Sequence, residues 1–396
     1  MNVEKNKLDS FFKLTENNTS VKTEIIAGIT TFITMAYIIF VNPNILMQSG
    51  MNSQGLMGDA AVKAGLSVGN DPLVASIFAA TCIAAAVGTL IMALYANLPF
   101  AQAPGMGLNA FFTYSVCLGM GYTWQQALAA VFISGVIFII ITVTSIREKI
   151  IDAIPKNLKF AISGGIGLFI ALIGLKNSGI IISDPSTLVA FGKLTSPGVL
   201  LAIIGVLITA VLMARNIKGS ILIGIILTTI IGIPFGVTKL AGIKLISAPP
   251  SLAPTFLAFD FKGLFSMEAG AITSVLTVII TFTLVDLFDT IGTLVGTAEK
   301  AGMVDESGKF KNMNKALLSD SVATTVGSVL GTSTVVTYVE STSGVSTGGR
   351  TGLTSATVGI LFILALFFSG VVGIVPTQAT APALIIVGVL MMGAVT

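Results

Sequence analysis

Thr281–Thr297, TFTLVDLFDTIGTLVGT, and Gly331–Arg350, GTSTVVTYVESTSGVSTGGR, break the rules of a membrane span in two different ways. The first carries Asp286 and Asp289 inside an apolar run. The second is rich in Thr, Ser and Gly and carries Glu340. A carboxylate at bilayer depth costs roughly 2.5–3.5 kcal/mol on insertion scales. Three of them close together in sequence point to a functional site, against the alternative that they merely tie helices together.

The surrounding composition makes the membrane reading firm. The chain of 396 residues is 54% hydrophobic and 10% charged, with a mean hydropathy of +0.96. A soluble domain carries about 25% charged residues. This is an all-α polytopic membrane protein. The net charge of +3 comes without a basic run of the kind that binds nucleic acid. Cys82 and Cys117 both lie in apolar spans and fit neither a metal-ligand spacing nor a disulfide framework. Histidine is absent, so proton chemistry falls to carboxylates.

A spanning helix needs about 20 mostly apolar residues, and about twelve segments meet or approach that criterion. They cover 25–47, 74–95, 103–120, 125–146, 158–175, 197–213, 219–236, 270–298, 316–331, 335–350, 352–372 and 378–396. The N-terminal stretch 1–24 has no apolar core and is no signal peptide. It reads as a cytoplasmic lead-in with an interfacial helix around Phe11, Phe12 and Leu14. With the N-terminus inside, fifteen of the 21 Lys and Arg fall on the inner side and six on the outer. That bias supports both the span count and a multi-pass topology in the cell membrane with a cytoplasmic N-terminus.

The third and tenth segments are interrupted. The third opens NLPFAQAPGMGLN, from Asn97 to Asn109. Pro99 and Pro104 remove donors, which predicts extended backbone near 99–105 and a helix from about Gly107. The tenth opens TSTVVTYV, from Thr332 to Val339, whose β-branched run favours a short strand before Glu340. Non-helical backbone at this depth is tolerated only where protein or a water-filled cavity covers it. Two such breaks in corresponding halves are a pointer to a transporter site between inverted repeats. If they pair, two half-helix N-termini face each other at mid-depth.

The eighth segment supplies side chains. Asp286 and Asp289, three apart, are expected on one helical face, with Gly292 and Gly296 extending the stripe and admitting another backbone. In the first segment, Thr30, Thr31 and Thr34 are expected to bond their own helix. The segments at 158–175, 197–213 and 219–236 are plain apolar helices without acids. The contrast suggests one polar, site-bearing bundle and one apolar bundle that rocks against it.

At ITTFITMAYIIFVNP, APGMGLNAFFTY, VDLFDTIGTL and VVTYVESTSGVSTGGRTGLT the chain resembles the nucleobase:cation symporters of the second class, the nucleobase–ascorbate transporter fold. Within that class it resembles the hypoxanthine, guanine and adenine permease branch that includes AzgA-like proteins. The resemblance covers nearly the whole chain. It implies two inverted seven-helix repeats divided into a core and a gate, with short antiparallel strands in segments three and ten. On that plan 25–150 and 269–375 form the core, and 151–236 and 376–396 the gate. The stretch 237–268 joins the bundles on the outer side. Fourteen spans are implied, so the last two are expected to be missing here. The resemblance also implies that Asn109, Asp286 and Glu340 contact a purine nucleobase. Asp289 and Glu340 would carry the coupled proton, with the roles of Asp286 and Asp289 exchangeable on the sequence. No cofactor is implied beyond a proton gradient. The partners are the base, the proton and the lipid bilayer, and a homodimer is compatible.

The chemistry fits that expectation. Ionised carboxylates accept only, so Glu340 and Asp286 suit the N–H groups of a purine, while Asn109 and half-helix N–H groups suit its acceptors. An apolar wall is expected from Phe111, Phe112 or Phe288. Neighbouring carboxylates in a poorly solvated site exchange protons as a unit. An anion carrier of the same fold would want positive potential rather than three acids. An intramembrane aspartyl protease would draw its two acids from two helices and carry Tyr-Asp and Gly-x-Gly-Asp, which do not occur here. A channel would need a continuous polar lining.

Overall fold

The computed structural model describes residues 7–144, 156–240, 246–265, 271–305 and 310–393. Lys5, Arg147, Lys149, Lys244 and Lys309, part of the charge bias above, lie outside the described residues, as does the end of the twelfth segment, 394–396.

In chain order, α1 is Lys7–Phe12, α2 Val21–Met35, α3 Ile38–Leu46, α4 Asp59–Lys63 and α5 Pro72–Ile91, which runs on as a π-helical turn over Met92–Ala96. Strand β1, Gln102–Pro104, leads into α6, Met106–Ala110, and a π-helical continuation over Phe111–Gly119. Then come α7, Trp124–Val143, α8, Lys156–Asn177, the hairpin of β2, Ile181–Asp184, and β3, Leu188–Phe191, then α9, Pro197–Ala214, and α10, Ser220–Ile231. The second half holds α11, Phe261–Phe265, α12, Ala271–Lys300, α13, Met313–Leu330, β4, Val335–Thr337, α14, Ser341–Val345, and α15, Gly352–Ala365. After a 3-10 turn, the last are α16, Ser369–Val372, and α17, Thr377–Met392.

Each of the twelve predicted segments coincides with a helix or with a strand–helix pair. Among the described residues, six helices are long and apolar enough to cross a membrane: Val21–Leu46, Pro72–Ala96, Trp124–Val143, Pro197–Ala214, Ile272–Lys300 and Gly352–Val372. Gly164–Asn177, Ser220–Ile231 and Thr377–Met392 are apolar but shorter. Helix α10 stops earlier than expected. Gly232 and Pro234 follow its last residue, and proline removes the donor that another turn would need. The β2–β3 hairpin was not foreseen, because its LVAF strand lies in what reads as a loop. Phe12 of α1 and Leu14 just after it pack on Leu353, while Phe11 stays exposed.

The helices sort into two groups by contact. One is α8, α9, α10 and α17: α8 lies along α17, and α9 packs on α10 and α17. Small residues allow the closest approach. A Cβ added at Gly167 of α8 would meet the Gly388 carbonyl oxygen of α17 at 2.6 Å. In a membrane such contacts, rather than hydrophobic exclusion, hold helices together. The other group joins α2, α3, α5, α6, α7 and α12 to α15. Here α7 packs on α12 and α13, α5 on α3, α13 and α15, and α2 on α14 and α15. Contacts between the groups run through α6–α8, α12–α8, α2–α10 and α3–α17.

A buried carboxylate fastens the second group at one end. Glu24, fully buried, accepts from the backbone N–H of Arg350 (2.8 Å), Thr351 (3.2 Å) and Thr354 (3.2 Å), and from the Thr354 hydroxyl (2.5 Å). It therefore closes the donor-rich N-terminus of α15, where negative charge is favoured.

Candidate functional site

The site is built on the paired breaks. Strands β1 and β4 are antiparallel, with Gln102 opposite Thr337, Ala103 opposite Val336 and Pro104 opposite Val335. All six residues are buried. A two-stranded sheet has two open edges, and inside a bilayer those edges need partners. Side chains supply them. On the β1 edge, Thr89 of α5 accepts from Gln102 N (2.9 Å) and donates to Gln102 O (3.0 Å). On the β4 edge, Thr324 of α13 does the same for Val335 (3.2 and 2.9 Å). Asp320, one turn before Thr324, accepts from Thr337 N at 2.8 Å. Tyr338 N reaches Ala101 O (2.9 Å), and Gly105 N reaches Thr334 O (3.0 Å), which extends the pairing into both flanks.

Asp320 is the residue that the sequence reading missed. It is fully buried and also accepts from Thr290 Oγ1 (2.6 Å), Thr337 Oγ1 (3.0 Å) and Gln102 Nε2 (3.1 Å). One carboxylate thus ties α12, β4 and β1 together. The signal was available: an acid in the ninth segment breaks the same rule as Asp286, but the Ser- and Thr-rich run around it disguises the cost.

The structure separates the two acids of α12. Asp286 is fully buried against α13; its Oδ2 lies 3.1 Å from Thr324 Oγ1, whose single hydrogen it shares with Val335 O, and its Oδ1 has no hydrogen-bond partner among the described residues. Asp289 is half-buried. Three residues apart, the two remain neighbours on the helix surface but differ in burial, and Val285, four residues before Asp289, and Gly292, three after it, are its other neighbours. Gly292 and Gly296 were expected to admit a neighbouring backbone. Neither has any atom within 4 Å of an added Cβ, so the stripe beyond Asp289 faces open space.

Val285 lines a cleft of about 180 Å³ together with Gly107, Phe111 and Ser115 of the α6 segment and Gly165, Ile166 and Phe169 of α8. The cleft therefore lies where the two helix groups meet. Its lining is apolar apart from Ser115, and Phe111 is held edge-on against Phe282 of α12 at 5.0 Å. Of the expected aromatic wall, Phe111 lines the cleft, Phe112 is fully buried and Phe288 is half-buried outside the lining.

Glu340 sits between β4 and α14, half-buried, and its Oε1 accepts from the buried Tyr37 hydroxyl at 2.5 Å. Asp289 interacts electrostatically with Glu340, Tyr338 and Asp320. The carboxylates of α12, α13 and the tenth segment thus form one electrostatic cluster.

Asn109 is fully buried in a different network. Its Nδ2 donates to Asn42 Oδ1 (2.6 Å), and its Oδ1 accepts from Ser333 Oγ. Asn42 in turn donates to Thr81 (2.7 Å) and Thr332 (2.9 Å). This chain joins segments one, two and three to the stretch that leads into β4. Thr30 and Thr34 bond their own helix as expected, whereas Thr31 Oγ1 has no partner. No group of three or more metal-ligating side chains occurs among the described residues.

Residues 22–396 match the permease family model of the xanthine and uracil permeases. The chain belongs to the nucleobase:cation symporter-2 family. It is 50% identical over 98% of its length, and 83% of the relative's, to a putative permease of Methanocaldococcus jannaschii. It is 45% identical to the adenine permease AdeP of Escherichia coli, covering 97% of this chain and 80% of that one. With the guanine/hypoxanthine permease PbuG of Bacillus subtilis the identity is 46%, over 97% and 83%. Among solved structures, the transmembrane domain of the cyanobacterial bicarbonate transporter BicA matches with a TM-score of 0.65 at 16% identity, over 94% of this chain and 89% of that one. That likeness is one of fold. The permease is a multi-pass membrane transporter and not an enzyme.

Proposed function

We propose that this permease carries purine nucleobases, of the adenine, guanine and hypoxanthine class, by proton symport. The observation that carries the reading is the cleft between the two helix groups, apolar along Phe111, Ile166 and Phe169, with Asp289 one turn beyond its Val285 wall. Flat apolar walls suit the faces of a purine, and acceptor-only carboxylates suit its edge N–H groups. Relatives at 45–46% identity are named as adenine and guanine/hypoxanthine permeases, which narrows the substrate class.

In this reading Asp289 and Glu340 meet the base and carry the proton. Tyr37 holds one oxygen of Glu340, so the other is presented to the substrate. Asp286 and Asn109 act from behind, Asp286 through Thr324 and Asn109 through Asn42 and Ser333. The core comprises 25–150 and 269–375, and the gate 151–236 and 376–396, as two inverted repeats with the N-terminus in the cytoplasm. Movement of one group past the other exposes the cleft to each side in turn.

The test is uptake of labelled adenine and hypoxanthine into proteoliposomes, with and without an inward proton gradient. Accumulation above the outside concentration is expected only with the gradient. Equal uptake in both conditions would refute coupling to protons, and no uptake of any purine would refute the substrate class.

A further inference from the structure

The two helix groups meet differently on either side of the cleft. Toward the C-terminal end of α8 stands Tyr114, on the same π-helical stretch as the lining residues Phe111 and Ser115. The Tyr114 ring stands edge-on to Phe169 at 6.2 Å. Its hydroxyl donates to Gln48 Oε1 (3.1 Å) and accepts from Asn177 Nδ2 (3.3 Å). Gln48 follows α3 and Asn177 ends α8, so this one hydroxyl bridges the two helix groups. One residue before Asn177, Lys176 pairs with Asp59 at the start of α4, 3.3 Å apart. Asn177 lies eight residues beyond Phe169, about 12 Å along the helix, so these contacts join the groups past the Phe169 end of the cleft.

Among the described residues, the other side carries no such bridge. Gly165 on α8 and Gly292 and Gly296 on α12 have nothing within 4 Å of an added Cβ. The groups do touch at this end, through Lys218 Nζ to Thr347 Oγ1 (2.8 Å) and Gly219 against Ile33. Those contacts lie on the α2–α10 flank, and none of the described residues comes within 4 Å of an added Cβ at Gly292 or Gly296. The Lys300 end of α12 belongs to this side: Asn312, just before α13, donates to Ala96 O at the far end of α5 from Asp59.

We propose that Tyr114, Asn177 and Gln48, with the Asp59–Lys176 pair above them, are the latch that closes one mouth of the cleft, and that this conformation is open only at the Lys300 end. The design suits a moving part. Two neutral hydrogen bonds and an exposed ion pair are individually weak, so the latch releases without disturbing either helix group. The proposal concerns access to the cleft, whichever solute it carries, and so stands or falls separately from the substrate class.

Two measurements on the full chain test it. In a Cys82→Ala, Cys117→Ala background, Gly296→Cys is labelled with a membrane-impermeant maleimide from either side of oriented vesicles. Labelling is expected from the Lys300 side at least tenfold faster than from the Asn177 side. Adding Tyr114→Phe with Asn177→Ala is expected to raise labelling from the Asn177 side severalfold. Equal labelling from both sides with the latch intact overturns the proposal, as does an unchanged ratio once the latch is cut. The second measurement avoids any buried position. Asp59→Cys and Lys176→Cys are joined by oxidation. Uptake is expected to fall at least tenfold and to return on reduction; uptake at the uncrosslinked rate overturns the proposal.

Discussion

At the scale of single residues, the molecule sorts its acids by what surrounds them. Asp320 is saturated with donors, Asp286 keeps one oxygen without a partner, and Asp289 and Glu340 are half-buried. A saturated carboxylate holds backbone, while one that reaches a cleft can accept from a ligand. Glu340→Gln is therefore expected to insert and fold normally, yet to lose purine binding at least tenfold, because an amide cannot offer an acceptor-only edge. Asp289→Asn is expected to abolish accumulation against a gradient while leaving base exchange measurable. Isotope counterflow separates the two, and full proton-driven accumulation by Asp289→Asn would remove that residue from the coupling role. Which of the two acids is wholly buried was not legible in the sequence. A three-residue spacing says only that two side chains are near neighbours on a helix, and their burial is set by where α13 packs.

At the scale of elements, the breaks were legible because proline and β-branched runs have local causes. Pro99 and Pro104 exclude a helix, VVT prefers an extended form, and the pairing of β1 with β4 follows the one arrangement that satisfies both in lipid. What closes the sheet edges was not legible. Thr89, Thr324 and Asp320 belong to helices that read as ordinary spans, and although Thr89 and Thr324 bond strand residues only 13 and 11 positions on, nothing in those helices marks these side chains as edge partners. Helix starts are a second case. Asp71 caps α5, accepting from Leu73 N (2.9 Å), Val74 N (3.0 Å) and from Ser53 N and Oγ (2.9 and 2.5 Å). Burial alone would push its pKa up, but these donors outweigh burial and hold it below the usual carboxylate range. A folded value below the unfolded one adds stability above about pH 4 that is lost as pH falls through the folded value. Asp71→Asn keeps a capping oxygen, so thermal unfolding in detergent is expected to show it close to the parent at acid pH and less stable at neutral pH. Asp71→Ala loses the cap itself, at about 1 kcal/mol across the range. An Asp71→Asn protein with the parent's full acid dependence would contradict this.

At the scale of the whole molecule, two helix groups meet along a seam that the chain crosses repeatedly, and the sequence showed the division as a difference in polarity. Segments without acids gather as α8, α9, α10 and α17, while the polar spans gather around the crossed strands. The strands themselves have a consequence for solvent exchange. Extended backbone outside a large sheet ordinarily gives up its amide protons quickly. Here the amides of Gln102, Val335 and Thr337 are held by side chains of α5 and α13, in residues that are almost wholly inaccessible. They can meet deuterium only when those helices part, so their exchange clocks the opening of the entire polar half rather than the fraying of a loop.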